Sequence, residues 1–206
     1  MALAEYNKKR KFKETPEPKG VKGKAGKQLH FVVQKHDASR LHYDFRLELD
    51  GVLLSWAVPK GPSMNPADKR LAMQTEDHPM SYMKFEGIIP EGNYGAGDVI
   101  VWDLGFYTSP DSANPAIARK SLKAGYKKGD LKFVLYGEKL KGGFALVKLK
   151  NSKDENAWLL IKEKDEYVSK TDITKKNKSV LSGRKLPRDG GKPLTKEWHS
   201  NKTSNT

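Results

Sequence analysis

Polar and apolar side chains alternate without interruption in Leu41-His42-Tyr43-Asp44-Phe45-Arg46-Leu47-Glu48-Leu49, which Asp50-Gly51 follows. Successive side chains of a β-strand point to opposite faces, so this pattern predicts a strand with an apolar core face and a polar face. His42, Asp44 and Arg46 then share the polar face, where they form a candidate catalytic surface. Asp50-Gly51 is typical of a tight primed turn and predicts a hairpin over residues 47–58.

Seven more segments have strand-like composition and are bounded by turn signals: residues 29–33, 52–58, 71–74, 98–104, 131–136, 144–149 and 158–163. One stretch, residues 113–124, has a weak helical pattern. Eight strands with hairpin spacing predict an all-β, mainly antiparallel fold, namely a small eight-stranded β-barrel with little helix.

The chain has 206 residues, which suits one domain with terminal extensions. Changes in composition divide it into a basic N-terminal arm (1–28), the barrel (29–164) and a basic C-terminal tail (165–206). Both ends are rich in lysine and poor in apolar residues, which is typical of flexible segments. For the arm, one interpretation is a disordered solubilising tail. The other is an arm that folds over nucleic acid and brings Arg10 and Glu17 to the active face.

The chain carries 39 Lys and Arg against 25 Asp and Glu, a net charge of +14. Such an excess indicates a polyanionic partner, and nucleic acid is the commonest one. Charge alone does not separate DNA from RNA or anionic lipid, and a merely soluble basic surface is also compatible with it.

Several classes of protein are excluded by what the sequence lacks. It has no cysteine, so a transition metal would have to be bound by imidazole and carboxylate. No apolar run approaches the roughly 18 to 20 residues of a membrane span, and no signal peptide is evident. We therefore expect a cytoplasmic, nucleoid-associated protein without membrane contact. No coiled coil or apolar stripe argues for assembly, so we expect a monomer.

Two imidazoles and a carboxylate lie close together in sequence, at His36, His42 and Asp44. If His36 folds back toward the strand, the set suits Mn²⁺, Zn²⁺, Co²⁺ or Fe²⁺ with positions left for water and substrate. The alternative is an exposed polar face or a structural hydrogen-bonded pair.

Arg46 shares the polar face with this set. A guanidinium beside a divalent cation is a bidentate clamp for phosphate, unless it forms an ion pair with Glu48 or Asp50. Phosphoryl chemistry also needs a proton donor. His78 is the candidate, with Tyr82 as a hydrogen-bond donor, although a histidine before proline is often a plain loop residue.

Other residues suggest weaker hypotheses. Lys60 and Arg70 lie in basic loops that could follow a nucleic-acid backbone or be solvated cations. The glycines at positions 87, 92, 95 and 97 match neither a dinucleotide fingerprint nor a P-loop, and are interpreted as turns. Tyr94 and Trp102 are interpreted as barrel packing and not as base-stacking platforms.

Several motifs, in unbroken order, resemble the 3′-phosphoesterase domain of bacterial DNA ligase D. They are Phe31-Val32-Val33-Gln34-Lys35-His36, Leu41-His42-Tyr43-Asp44-Phe45-Arg46-Leu47-Glu48, Ser55-Trp56-Ala57-Val58-Pro59-Lys60-Gly61-Pro62-Ser63, Lys69-Arg70-Leu71-Ala72, Glu76-Asp77-His78-Pro79, Phe85-Glu86-Gly87 and Tyr94-Gly95-Ala96-Gly97. The resemblance covers most of the chain. It implies a small β-barrel with a Mn²⁺-dependent site that removes a 3′-terminal ribonucleoside and then the remaining 3′-phosphate, leaving a 3′-OH.

The same resemblance implies a role for each matching residue. The metal ligands are His36, His42 and Asp44, Arg46 is the phosphate clamp, and the supporting polar positions are Gln34, Lys60 and Arg70. It also makes His78 the phosphate-contacting or proton-donating histidine, with Tyr82 as its partner. Arg10 and Glu17 match catalytic residues of the family's N-terminal motif, whereas Lys11 stands where an aspartate is usual.

No polymerase or ligase domain follows the barrel, so we expect a stand-alone module. Its partners would be DNA primer-template or broken ends, and a separate DNA ligase and end-binding protein. Two other hypotheses stay open: a non-catalytic DNA-end-binding scaffold, and the same chemistry on RNA or cyclic phosphate ends.

Overall fold

The computed structural model describes residues 3–24 and 26–194. The strands are β1 (Leu29–Asp37), β2 (Leu41–Leu49), β3 (Val52–Val58), β4 (Arg70–Gln74), β5 (His78–Pro79), β6 (Gly87–Ile89), β7 (Gly97–Thr108), β8 (Asp130–Gly137), β9 (Lys141–Lys148) and β10 (Ala157–Lys162). The helices are α1 (Ala4–Lys8), α2 (Pro115–Lys128) and short 3-10 helices at Met80–Lys84, Ile173–Lys175 and Pro187–Asp189. Within the described ranges, no helix combines the length and apolarity that crossing a membrane requires.

Eight of these strands form a closed antiparallel barrel in the order β1-β2-β3-β4-β10-β9-β8-β7, and the pairing of β7 with β1 closes it. They correspond to the eight predicted strands, so the predicted fold class is confirmed. β1 continues past the predicted end at residue 33 to Asp37. The sequence pattern missed β5 and β6, which are too short to show alternation and pair with β3 and β7 outside the closed circuit.

The barrel interior is filled by aromatic side chains. Phe31, Phe45, Trp56, Phe133 and Phe144 are fully buried. The four phenylalanine rings pack against one another, with centroids 5.7 Å apart between Phe45 and Phe133, and Trp56 packs against Trp158 at 5.8 Å. The predicted apolar face of β2 is therefore the core face. A rigid core of this kind fixes the positions of side chains on the outer face of the same strands.

The β2–β3 hairpin sets the register of the outer face. Asp50 and Gly51 have φ angles of 53° and 79°, the left-handed values that a primed turn requires. The turn pairs Leu49 with Val52 and, further along, Arg46 with Ser55. The predicted turn is thus confirmed, and it aligns two polar residues across the strands.

The N-terminal segment packs against the outer face of the barrel, in contrast to the flexible tail that its composition favours. Tyr6 of α1 is fully buried, and its hydroxyl donates to the carbonyl of Pro18 at 2.7 Å. Glu17 is buried as well, and the N–H of Gly23 donates to the carbonyl of Gly51 at 2.9 Å. The lysine-rich composition suggests that the entropy cost of ordering would keep this segment disordered. One buried aromatic side chain and a few backbone hydrogen bonds offset that cost.

The described part of the C-terminal segment also packs on the barrel. Leu186 is buried beside Ile100, and Trp102 donates to the carbonyl of Lys176 at 2.7 Å. Arg188 pairs with Asp37 at 2.6 Å, at the end of β1. Composition predicted a flexible tail here too, because it does not reveal sparse apolar anchors. Residues 195–206 of the predicted tail lie outside the described ranges.

Candidate active site

The structure brings the predicted metal ligands together on the outer face of β1 and β2. His36 lies directly opposite His42 in the antiparallel register. One ligand atom from each of His36, His42 and Asp44 lies within 4.8 Å of the others. His36 reaches this position from the neighbouring strand, because β1 extends to Asp37, and not by folding back as the sequence suggested.

Each imidazole is anchored by one nitrogen and presents the other to Asp44. His36 Nε2 donates to the carbonyl of Gly95 at 2.9 Å, and His42 Nδ1 donates to the carbonyl of Arg40 at 2.9 Å. The remaining nitrogens, Nδ1 of His36 and Nε2 of His42, lie 3.3 Å and 3.7 Å from the Asp44 oxygens. A nitrogen lone pair facing a carboxylate requires a proton or a cation between them. Backbone anchoring of the far nitrogen is the usual arrangement of metal-ligating histidines, so the set fits a divalent cation.

The Asp44 carboxylate is held in its charged form. Burial would raise its pKa, but Arg46, His36 and His42 together lower the pKa of Asp44 well below its usual range. Arg46 Nη2 lies 3.3 Å from Asp44 Oδ2. A carboxylate that is ionised at any working pH is ready to bind a cation.

Arg46 is held by polar contacts on several sides. Its Nε donates to Gln34 Oε1 at 2.8 Å and its Nη1 donates to Ser55 Oγ at 2.8 Å. Its guanidinium carbon lies 5.0 Å from the centroid of the Tyr82 ring. The alternative ion pairs with Glu48 or Asp50 do not form; those carboxylates bind Arg119 and Lys123 instead. Arg46 is therefore a preorganised cation beside the candidate metal site.

His78 lies on β5 and is buried, so it is not a plain loop residue. Its Nδ1 donates to the carbonyl of Glu76 at 2.9 Å, and its Nε2 accepts from Arg10 Nη2 at 3.1 Å. Burial, Arg46 and Arg10 lower the pKa of His78 well below its ordinary value. The imidazole is therefore neutral near pH 7, with its lone pair toward Arg10.

The N-terminal segment adds Arg10 and Glu17 to this group. Arg10 pairs with Glu17 at 3.0 Å and with Glu76 at 2.6 Å. The Tyr82 hydroxyl donates to Glu17 Oε1 at 3.1 Å. Burial and the charge of Glu17 raise the pKa of Tyr82 well above its ordinary value, so this phenol keeps its proton. The structure thus unites Arg10, Glu17, His78 and Tyr82, although they are far apart in sequence.

Three other residues that the motifs singled out lie outside this group. Lys60 is exposed in the turn after β3. Arg70 pairs with Asp68 at 3.1 Å. It lies on the same face of β4 as Ala72, which pairs with Trp158, and this face points toward the barrel interior. Lys11 is exposed and lies 3.5 Å from Glu14. Gln34, in contrast, lies inside the site as the partner of Arg46.

Sequence reasoning missed several contributors. Glu76 binds both Arg10 and Lys9; it belongs to the motif that contains His78, but nothing in the sequence indicated these partners. Ser55 could have been found, because the Asp50-Gly51 turn fixes its place opposite Arg46. The interpretation of Tyr94 as barrel packing was wrong, since the residue is 50% exposed. For Trp102, which is fully buried, the same interpretation is confirmed.

A closed antiparallel barrel with a His/His/Asp cluster beside two buried arginines defines a small all-β protein with a candidate site for phosphate chemistry. Residues 34–148, more than half of the chain, match the model of the DNA ligase D 3′-phosphoesterase domain family. The chain belongs to this family, as its motifs indicated.

Similarity to individual proteins supports the same family assignment. The chain is 52% identical to the multifunctional non-homologous end joining protein LigD of Pseudomonas aeruginosa, over 91% of this chain and 22% of that protein. Identity to the protein of the same name from Mycolicibacterium smegmatis is 42%, over 80% of this chain and 21% of that protein. Identity to the multifunctional non-homologous end joining DNA repair protein LigD of Mycobacterium tuberculosis is 41%, over 76% of this chain and 21% of that protein. The chain spans about a fifth of the length of these relatives.

Proposed function

We propose that this protein is a Mn²⁺-dependent phosphoesterase that heals DNA 3′ ends. It removes a 3′-terminal ribonucleoside and then the 3′-phosphate that remains, and so leaves a 3′-OH for repair and ligation. The observation that carries the proposal is the position of Arg46 between two groups of residues. It contacts Asp44 of the anchored His36, His42 and Asp44 set, and it contacts Tyr82 of the group that contains His78.

His36 Nδ1, His42 Nε2 and Asp44 would hold the cation, because these atoms face one another while the far nitrogens are anchored. A bound divalent cation would polarise a phosphate oxygen and lower the pKa of a bound water. Mn²⁺ is proposed from the family resemblance; two imidazoles and a carboxylate also suit Zn²⁺, Co²⁺ or Fe²⁺.

Arg46 binds the scissile phosphate in this proposal. Its hydrogen bonds to Gln34 and Ser55 fix the guanidinium plane before substrate arrives, so little order is lost on binding. Side-chain exposure falls from 22% at His42 to 3% at Arg46. The 3′ end would therefore enter past His42 and place its phosphate against Arg46.

His78 moves the proton. Burial, together with Arg46 and Arg10, lowers the pKa of His78 and keeps it neutral in the free protein. A phosphate bound between the two arginines would offset their charge and raise the pKa of His78. The protonated ring can then donate to the leaving oxygen. Tyr82 keeps its proton at any working pH, and its single O–H, which donates to Glu17 in the free protein, would turn to a phosphate oxygen when substrate binds. Glu17 also orients Arg10.

DNA is proposed as the substrate because the relatives are named for non-homologous end joining, and because the net charge of +14 suits a polyanion. A separate DNA ligase and an end-binding protein are proposed as partners in the same repair process.

The test uses metal-stripped protein and two primer-templates, one ending in a single 3′-ribonucleotide and one ending in a 3′-phosphate. We expect conversion of both to 3′-OH only when Mn²⁺ is added. The His42→Ala protein should lose both conversions, and a matched variant at a histidine outside the site, His30→Ala, should keep them. Binding to the ends without conversion, under any divalent metal, would favour a non-catalytic scaffold instead.

A further inference from the structure

Tyr94 is an exposed aromatic residue beside the candidate active site. It lies in the turn between β6 and β7, where Gly92 and Gly95 have φ angles of 82° and 75°. Half of the residue is exposed. A single exposed aromatic residue is common on protein surfaces, so the surroundings of the Tyr94 ring decide whether it has a role.

The turn that carries Tyr94 is attached to a candidate metal ligand. The carbonyl of Gly95, the next residue, accepts from His36 Nε2 at 2.9 Å. The position of the ring is therefore tied to the place where the 3′ end would be bound. Movement of the turn would disturb His36 as well, so the Tyr94 ring and the candidate metal ligand His36 are held in a fixed relative position.

Two cations of the N-terminal segment lie close to the ring. Lys9 Nζ is 4.8 Å from its centroid, and Arg10 Cζ is 5.5 Å away. The other exposed aromatic residues of the described ranges, Phe106, Tyr136 and Tyr167, have no such cation. Both cations are paired with carboxylates, Lys9 with Glu5 and Glu76 and Arg10 with Glu17 and Glu76. The exposed ring itself is therefore the feature that can hold a nucleotide, by stacking on its base.

From these contacts we infer that Tyr94 is the stacking platform for the terminal nucleobase at the substrate's 3′ end. The inference rests on the proposed function and adds how the end is recognised. Stacking tolerates any base, since every base has an aromatic face. The site would thus bind 3′ ends of any sequence but would require a base on the last nucleotide.

The competing explanation is that Tyr94 only packs against Lys9 and Arg10 and keeps the N-terminal segment in place. A leucine at position 94 keeps apolar contact with the lysine and arginine stems but cannot stack. The nature of the terminal nucleotide separates the two explanations, because packing within the protein does not depend on it.

The first experiment measures stacking without turnover. Metal-free protein is mixed with a 3′-phosphate primer-template that has 2-aminopurine as its terminal base, and fluorescence is recorded. We expect quenching by the unmodified protein and by Tyr94→Phe, and loss of quenching with Tyr94→Leu at protein concentrations that saturate the DNA. Equal quenching by the leucine variant would overturn the inference.

The second experiment compares steady-state conversion of primers with a normal and an abasic terminal nucleotide. Tyr94→Leu should raise KM about tenfold on the normal primer and leave KM on the abasic primer at the value of the unmodified protein. Tyr136→Leu, at another exposed tyrosine on β8, is the matched control. An equal loss on both primers would overturn the inference in favour of segment packing. If the unmodified protein converts neither primer, the proposed function fails, while the fluorescence result still decides the stacking.

Discussion

Arg10 Nη2 donates a hydrogen bond to His78 Nε2 across 3.1 Å, although 68 positions separate the two residues in sequence. This contact joins the N-terminal segment to the barrel at the candidate catalytic histidine. It also assigns the histidine proton to Nδ1, because Nε2 must accept. The segment is thus part of the site, and the charge of Arg10 adds to burial and Arg46 in lowering the pKa of His78.

Arg10→Gln should raise the pKa of His78, because it removes one of the positive charges that, after burial, lower that pKa. The imidazole resonances of metal-free protein, followed by NMR through a pH series, report the change. We also expect conversion of 3′-phosphate ends to fall by roughly a hundredfold. Lys8→Gln removes a charge from the same N-terminal segment at an exposed position and should alter neither quantity. An unchanged His78 titration in Arg10→Gln would contradict the contact.

Tyr6→Ala should release the N-terminal segment from the barrel. The ring is fully buried and lies 5.0 Å from the His78 ring, and loss of a buried aromatic side chain costs about 3 to 5 kcal/mol. Limited proteolysis should then cleave within residues 9–24 while the barrel stays intact, and activity should fall with it. Tyr6→Phe loses only the hydrogen bond to Pro18, about 1 kcal/mol, and should resist cleavage. Equal resistance of both variants would show that Tyr6 is not the anchor.

Asp77→Asn should stabilise the protein above neutral pH. Burial, then Glu5 and Glu76, raise the pKa of Asp77 from 3.8 to about 6. The stability contributed by the protonated carboxyl is complete below pH 3.8 and is lost as the pH rises through about 6. Asparagine keeps the neutral form at every pH. We expect the free energy of unfolding to rise by about 1 to 2 kcal/mol at high pH. This is less than the roughly 3 kcal/mol to which the whole pKa shift corresponds, because the side chain is partly solvated.

Urea unfolding at about pH 4 and pH 8 measures this gain. The variant and the unmodified protein should agree at the lower pH and differ at the higher one. Asp130→Asn, at an exposed aspartate, should give no difference at either pH. The same gain at both values would indicate a cause other than the ionisation of Asp77.

Gln34→Ala should weaken phosphate binding through Arg46. The Gln34 side chain accepts from Arg46 Nε at 2.8 Å and donates to the carbonyl of Phe85 at 3.0 Å, so its loss frees the guanidinium and leaves buried groups unpaired. We expect KM for the 3′-phosphate end to rise by about tenfold. Gln34→Glu keeps the acceptor and should recover part of the loss. An unaffected KM in the alanine variant would show that Asp44, Ser55 and Tyr82 fix Arg46 without Gln34.

The barrel could be predicted from sequence because alternation and turn residues are local signals. The pattern around Arg46 gave the strand, its core face and, through Asp50-Gly51, its register. His36 could be grouped with Asp44 only because the two are close in sequence. The local pattern ends β1 at residue 33, so it does not show that His36 lies on that strand, opposite His42.

The rest depends on contacts that no local pattern records. The docking of Tyr6 and Arg10 depends on contacts with His78 of β5 and with Glu76 just before it, which come together only in the folded barrel. Glu76 and Tyr94 acquire their roles from the N-terminal segment that lies on them. Composition indicated the opposite for that segment, because lysines outnumber the few buried anchors.

Crystals grown with Mn²⁺, measured at the manganese absorption edge, test the central claim most directly. The account predicts one strong anomalous peak within bonding distance of His36 Nδ1, His42 Nε2 and an Asp44 oxygen, with the histidines still bonded to the carbonyls of Gly95 and Arg40. A peak elsewhere, or no peak at these residues with Mn²⁺ in excess, would contradict it.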